Sequence, residues 1–489
     1  MIKTDAIKPH LPLILILFFT LILRIPSLLE PFWYGDEGVY MAVGQALTYD
    51  LPLYTEAFDN KPPAIYLLSA FAMTIFGHSI WALRFVLLLW VLVTELIIFS
   101  LAKNLWDSKK AGLVSAAIFG LLTATPLIEG NIGNGEIFFI LFTSLGYLYG
   151  FKKRYFLAGL SFAMAVLFKA PAIFDFFAFG LFILLHQKTD DVEKISRRLF
   201  FTGLGFALPL AITSVYFFLR GHWDSFYFSV VSSNVSYTDF GNRFLNIPNG
   251  LLFVKAAALG LISLFFLRNI LRSWRKGTLK KEEMVTSTLI LWLFFSLYGS
   301  LFGGRNYSHY LIQIVPPVTL LLTGIIFKKL QVKLAITALV VGLVIVALFG
   351  FRPTYFKWNY YPNAVSYLVG KMSQEDFNKS FDRKVSRNYT LGEVAKRLSD
   401  PRDSLFIWAN EPQIYFLANR SNIHRYTAAY HVHNYNGYQD VMEKLNAHPP
   451  RIIITESPAP YPFLQLDDFI KTHYSLSGEF DDAQVYRLN

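Results

Sequence analysis

The sequence has no cysteine in 489 residues, which excludes disulfides, thiolate metal sites and cysteine nucleophiles and leaves the redox character of its compartment unspecified. Charge is sparse too, with Asp, Glu, Lys and Arg making up only 16% of the chain. No Gly-rich phosphate loop follows the strand-like runs near the C-terminus, so nucleotide binding there is not expected. Internal repeats and low-complexity tracts are absent. The charge that exists leans basic, at a formal +11, but the cations come in short clusters between apolar runs rather than on one face. That distribution fits orientation in a membrane better than a nucleic-acid partner.

What the chain has in abundance is apolar length. Hydrophobic residues make up 54% and aromatic residues 17%, and mean hydropathy is +0.39, the composition of a polytopic membrane protein with room for one soluble domain. A span needs about 20 apolar residues, and eleven candidates lie near 10–29, 80–102, 111–128, 136–151, 155–169, 171–186, 199–219, 249–267, 284–302, 310–327 and 332–350. The first follows Lys3 and Lys8, but no small-residue cleavage site comes after it, so it reads as a retained span rather than a signal peptide.

The run 62–77 is shorter, Pro-led and Gly-ended, which suits a helix lying along the surface. If it does not cross, the clusters Lys103, Lys109 and Lys110; Lys152, Lys153 and Arg154; Lys188 to Arg198; Arg268 to Lys281; and Lys328, Lys329 and Lys333 all share the side of the N-terminus. If it crosses, every one of them moves to the far side, against the positive-inside bias. The expected layout therefore has a cytoplasmic N-terminus and a long outer loop, 30–79, with surface helices near 36–48 and 63–76. Further outer segments fall at 129–135, around Lys169, at 220–248 and at 303–309. Two domains follow: 1–350 in the membrane and 351–489 outside it. In the second, short strands at 404–408, 422–426, 451–455 and 485–488 alternate with helical patterns at 390–399, 411–418 and 437–447, as in a small, mostly parallel α/β sheet.

The polar residues without an obvious structural purpose gather in the outer segments. Residues 33–63, WYGDEGVYMAVGQALTYDLPLYTEAFDNKPP, place Asp36, Glu37, Asp59 and Lys61 just beyond the first span. An acidic pair at a helix start favours the helix dipole. The pair also reads as catalytic, Asp36 as a general base, since an aspartate with an ordinary pKa of about 3.9 is ionised at neutral pH and able to take a proton from a hydroxyl, and Glu37 as a catalytic candidate beside it. Asp59-Asn60-Lys61-Pro62-Pro63 is a turn before a proline-started helix, in which Lys61 also offers a point charge for a phosphate. EGNIGNGE at 129–136 has three glycines that permit close approach, with Glu129 or Glu136 as a second acid. At 303–310, GGRNYSHY concentrates Arg305, His309 and Tyr310 in one turn, as interfacial anchors or as a pocket in which Arg305 forks onto phosphate. Lys169 is a cation of the same kind at another outer turn. Trp223, Tyr227, Tyr237, Asn242 and Arg243 read as an aromatic interface belt or the lining of a sugar or lipid route. His424, His431, His433 and His448 read as exposed loop histidines, with no partners at metal-ligand spacing.

DEGVY at 36–40, FDNKPPAIYLL at 58–68, FGHSIWALR at 76–84 and YSHYLIQIVPP at 307–317 together resemble the GT-C membrane glycosyltransferases, specifically bacterial relatives of dolichyl-phosphate-mannose protein mannosyltransferases and of the lipid A aminoarabinose transferase. The likeness runs over about 10–350, and WANEPQIYFLANR at 408–420 is similar to the start of the soluble domain in such relatives. The resemblance implies a GT-C fold and a sugar donor carried on polyprenyl phosphate. It also implies transfer to a hydroxyl of a lipid, glycan or protein, with inversion, on the non-cytoplasmic face. On it, Asp36 matches the first-loop catalytic Asp, Lys61 the phosphate-proximal Lys, and Glu136 falls near a further acid. Arg305, His309 and Tyr310 fall where relatives approach the lipid phosphate. No counterpart of a bound-metal site stands out, and a divalent metal stays open. The chemistry then has Asp36, Lys61 and Arg305 at one headgroup depth. A transporter or flippase of a lipid-linked saccharide is the rival reading, but such proteins place ionisable groups near the midplane. A scaffold whose soluble domain binds partners leaves the acidic loop unexplained.

Overall fold

The computed structural model describes residues 10–185, 192–275, 280–351 and 358–489. Lys3 and Lys8, part of the clusters at 188–198 and 268–281, the end of the 171–186 run and the start of the 351–489 domain lie outside the described residues. The chain divides into two compact units. One comprises Met1–Ile25, Leu87–Tyr216 and Asn234–Phe356, and the other Pro26–Val86, Phe217–Ser233 and Lys357–Asn489.

The first unit is helical. Where they are described, the eleven apolar runs coincide with helix, and among the described residues five helices are long and apolar enough to cross a membrane: Leu11–Leu29, Ile80–Trp106, Glu193–Leu219, Lys281–Phe302 and Ser308–Ile326. Its core packs Tyr147, Phe162, Phe179, Phe182 and Trp292 with aliphatic residues of Lys281–Phe302 and Val315–Ile326, and the Tyr147 and Trp292 rings stack at 3.8 Å. Small residues set one crossing. A Cβ on Gly159 would run into the Thr202 carbonyl, and one on Gly205 into the Phe156 carbonyl, so Tyr155–Phe168 and Val192–Leu219 touch backbone to backbone. Arg24, 1% exposed, donates to Thr123 O at 2.8 Å and Gly130 O at 2.7 Å. It thereby satisfies the Thr123 carbonyl, left over where Lys109–Ala124 ends, and ties the turn at Gly130 to it.

In the second unit, Gly35–Thr48 and Ala64–Phe76 form where surface helices were expected. Ala64–Phe76 carries an open apolar stripe of Leu67, Phe71 and Ile75 at helical spacing. Gly35–Thr48 departs from the expectation, because Glu37 through Gln45 are all buried. A Cβ on Gly44 would meet the Ser69 side chain at 2.7 Å, and one on Gly38 the Gln413 side chain at 2.9 Å. The helix is thus packed on both sides, and the two glycines allow it.

The same unit holds a five-stranded sheet: β1 Ser404–Trp408, β2 Ser421–Asn422, β3 Ile452–Glu456, β4 Tyr474–Phe480 and β5 Ala483–Leu488, in the order β2-β1-β3-β5-β4. β1 pairs with β2 and β3 in parallel, while β5 runs antiparallel to both β3 and β4. The sheet is mixed, not mostly parallel. Alternation sorts the strands' side chains: Phe406, Trp408 and Ile453 pack on one face with Val441, Leu445 and Phe469, and Leu405, Ile407 and Ile454 on the other with Leu391, Ile414 and Tyr415. The strand expected at 422–426 ends at Asn422, because Tyr426 instead bridges to Phe58. β4 was not anticipated; its residues after Tyr474 are largely exposed, so it lacks the alternation that marks a half-buried strand.

Candidate active site

Asp36, Glu37, Asp59 and Lys61 belong to one unit, and Glu136, Lys169, Arg305, His309 and Tyr310 to the other. In the first group, Asp36 and Glu37 stand in the opening turn of Gly35–Thr48, a favourable place for carboxylates. They part there. Glu37 is buried and gripped by Arg84, Nη2 to Oε2 at 2.8 Å and Nε to Oε1 at 3.3 Å, while Arg84 also donates to the carbonyls of Glu30 and Pro31. Asp36 stays partly open, with the Tyr40 hydroxyl 3.5 Å from its Oδ2.

The Tyr40 ring in turn lies 5.2 Å from the Lys61 ammonium, which joins Asp36 to the second motif. Lys61 Nζ contacts Asp59 at 3.0 and 3.3 Å and donates to Asn60 Oδ1 at 3.3 Å. Asp59 is 1% exposed and also accepts from the Tyr66 hydroxyl at 2.8 Å and the Asn60 N–H at 2.7 Å. Burial alone would push its carboxyl up, but Lys61, His431 and the Asn60 N–H outweigh that and hold it well below the usual carboxylate range. The Tyr54 hydroxyl fixes the backbone by donating to Lys61 O at 2.8 Å. Lys61 is therefore an oriented, partly exposed cation, its side chain 16% accessible.

The other group forms one connected network. Glu136 opens Gly135–Phe151 and accepts from Lys169 Nζ at 2.5 Å. Its second oxygen, Oε2, is buried without a hydrogen-bond partner among the described residues. The Lys169 ammonium lies 4.6 Å from the Tyr310 ring centre, the Tyr310 and Tyr237 hydroxyls meet at 3.1 Å, and the Arg305 guanidinium stands 4.2 Å over the Tyr237 ring. Next to Tyr310, His309 Nδ1 is 3.1 Å from Glu129 Oε2, and Ser308 donates to Glu129 Oε1 at 2.6 Å. Glu129 was expected only as an alternative acid to Glu136; here it orients His309. Asn242 is a tether, donating to Thr238 O and Phe302 O, and exposed Arg243 pairs with half-buried Asp239.

Two of the four histidines depart from the expectation of exposed loop positions: His424 and His431 are each 3% exposed. His431 lies with Nε2 3.6 Å from Asp59 Oδ1. Nothing in HVHN at 431–434 announces contact with a residue more than 350 positions earlier. Among the described residues no group of three or more His, Asp or Glu side chains is placed to hold a metal ion.

Residues 60–217 match the family model of dolichyl-phosphate-mannose-protein mannosyltransferases. That stretch includes Lys61, Glu136 and Lys169 and leaves Asp36 and Arg305 outside. Over 112 residues the chain is 28% identical to an undecaprenyl phosphate-alpha-4-amino-4-deoxy-L-arabinose arabinosyl transferase of Enterobacter sp. (strain 638), and 27% identical to its counterpart 2 of Proteus mirabilis (strain HI4320). Each match covers 22% of this chain and only 20% of the relative's length. In three dimensions the chain is similar to ArnT from Cupriavidus metallidurans bound to undecaprenyl phosphate, with a TM-score of 0.58 and 14% identity across 97% of both chains. The apo form of that protein gives 0.60 at 13% identity and the same coverage. The long apolar helices and this shared fold make the chain an integral membrane protein. It has the architecture of the ArnT structures and, over 60–217, the imprint of the mannosyltransferase family, so its resemblance to the GT-C polyprenyl-phosphate-sugar-dependent glycosyltransferases is borne out.

Proposed function

We propose that the protein is an inverting glycosyltransferase that moves a sugar from a polyprenyl-phosphate donor to a hydroxyl of a lipid, glycan or protein at the outer face of the membrane. The observation that carries the reading is the Asp36, Tyr40, Lys61, Asp59 chain, which links a partly open carboxylate to an oriented ammonium through the Tyr40 side chain. That pairing suits the two charge changes of the reaction. As the acceptor oxygen bonds to the anomeric carbon, its proton passes to the Asp36 carboxylate. The carbon–oxygen bond to phosphate breaks with its electron pair, and polyprenyl phosphate leaves with an added negative charge that Lys61 compensates.

Arg305, Lys169, His309 and Tyr310 are assigned to holding the donor's phosphate and sugar, and Asp59 to holding Lys61. Glu136 keeps Lys169 in place and offers Oε2 to a sugar hydroxyl. Glu37 is assigned to the frame, because both its oxygens are engaged by Arg84. The membrane domain is taken as 1–350 and the extracytoplasmic α/β domain as 351–489, with the N-terminus cytoplasmic. Support comes from the undecaprenyl phosphate named with the similar ArnT structure and with the arabinosyl transferases.

The test is transfer in detergent from synthetic undecaprenyl-phosphate sugars. Lys61→Ala is expected to raise the donor KM about tenfold or more, the weight of a charge-assisted phosphate contact, and to leave the acceptor KM unchanged. Equal effects on the two substrates would contradict the phosphate role.

A further inference from the structure

None of the groups assigned above comes from beyond residue 310, yet the C-terminal segment reaches the loop that carries Lys61. Phe58 donates its backbone N–H to Arg425 O at 2.8 Å and bridges to Tyr426. Its ring packs against Tyr426 and Tyr435, each with centroids 5.0 Å away, and against His431 at 5.5 Å. The next residue, Asp59, has His431 Nε2 3.6 Å from Oδ1, the same oxygen that Lys61 Nζ reaches at 3.3 Å.

His431 is an odd residue to spend on packing. It is 3% exposed. At 3.6 Å the Asp59 contact is longer than a hydrogen bond, and Nδ1 has no hydrogen-bond partner among the described residues. A buried polar ring so weakly bonded costs free energy that a phenylalanine in the same aromatic nest would not. What the imidazole provides, and a phenyl ring does not, is a polar N–H edge facing the Asp59 carboxylate.

We infer that His431 is a positioning residue for the donor phosphate. Its Nε2 edge offsets part of the Asp59 charge, so Asp59 holds the Lys61 ammonium in place without cancelling it. The C-terminal α/β segment is then a working part of the donor site rather than an appendage. This rests on the phosphate role proposed for Lys61.

The experiment measures binding of undecaprenyl phosphate, and of uncharged undecaprenol as control, to the purified full-length protein in detergent. His431→Phe keeps the ring and removes the N–H. It weakens undecaprenyl phosphate binding about three- to tenfold, the size of one electrostatic contact at a partly screened site, with undecaprenol binding unchanged and the melting temperature no lower than that of the wild type. His431→Gln returns an N–H to the same end of the side chain and recovers most of the loss, the reverse of what a packing role would give. Wild-type phosphate binding in His431→Phe, equal loss of phosphate and alcohol, or His431→Gln no better than His431→Phe overturns the inference. Lys61→Ala separates it from the reading beneath. Weakened phosphate binding there beside a wild-type His431→Phe removes His431 alone, whereas unchanged binding in Lys61→Ala removes the phosphate role and the inference together.

Discussion

Asp36 and Glu37 are neighbours of one chemical type, and the fold gives them different work. Residue type and loop position were legible in DEGVY; which carboxylate turns inward was not, because Arg84, the group that captures Glu37, sits 47 residues away in a different helix. Removing one partner of a buried ion pair leaves the other charge uncompensated, at a cost of about 3–5 kcal/mol. Glu37→Ala is therefore expected to lower the melting temperature sharply in detergent, while Asp36→Asn leaves it near wild type. His424 gives a second prediction at this scale. Its Nδ1 accepts the Tyr426 N–H at 3.3 Å, and burial, with Asp440 opposing and Arg425 assisting, pushes its pKa down to about 4. The unfolded chain, with an ordinary histidine pKa of about 6.5, binds the proton first as pH falls. The stability tied to neutral His424 is thus whole above about pH 6.5 and is lost progressively down to about pH 4, by up to about 3 kcal/mol. Melting temperature should fall across that window, and less steeply in His424→Gln.

Among the elements, the long helices of the first unit were legible because each is a continuous apolar run, and length and composition alone mark such runs. The second unit was harder to read. β4 is mostly exposed after Tyr474 and carries no pattern that separates it from loop. β2 stops after two residues because Tyr426 is drawn to Phe58. Gly35–Thr48 looked like an exposed helix and is a buried one, since its partners come from 64–76 and 413–418. Helix packing through small residues supplies the prediction here. Gly159→Leu places a side chain where the Thr202 backbone already sits, so the crossing with Val192–Leu219 must open. The expected result is loss of folded, detergent-stable protein, whereas Gly203→Leu on that second helix, where a Cβ meets nothing within 4 Å, is tolerated.

For the molecule as a whole, the sequence suggested a cut near residue 350, while compactness groups 26–86 and 217–233 with 357–489. Chain order does not reveal that grouping, because it depends on contacts such as Phe58 with Tyr426 and Glu56 with Lys444, made between residues hundreds of positions apart. The proposed orientation keeps 62–77 from crossing, so a reporter fused after residue 107 should report the cytoplasmic side; the outer side would mean that the run spans. The central claim, that Asp36 takes the acceptor proton, is tested most directly by Asp36→Asn in the full-length protein, assayed for both sugar transfer and undecaprenyl phosphate binding. Loss of transfer by about 100-fold or more, the scale of a general base, with undecaprenyl phosphate binding intact is the predicted result, and undiminished transfer would contradict it.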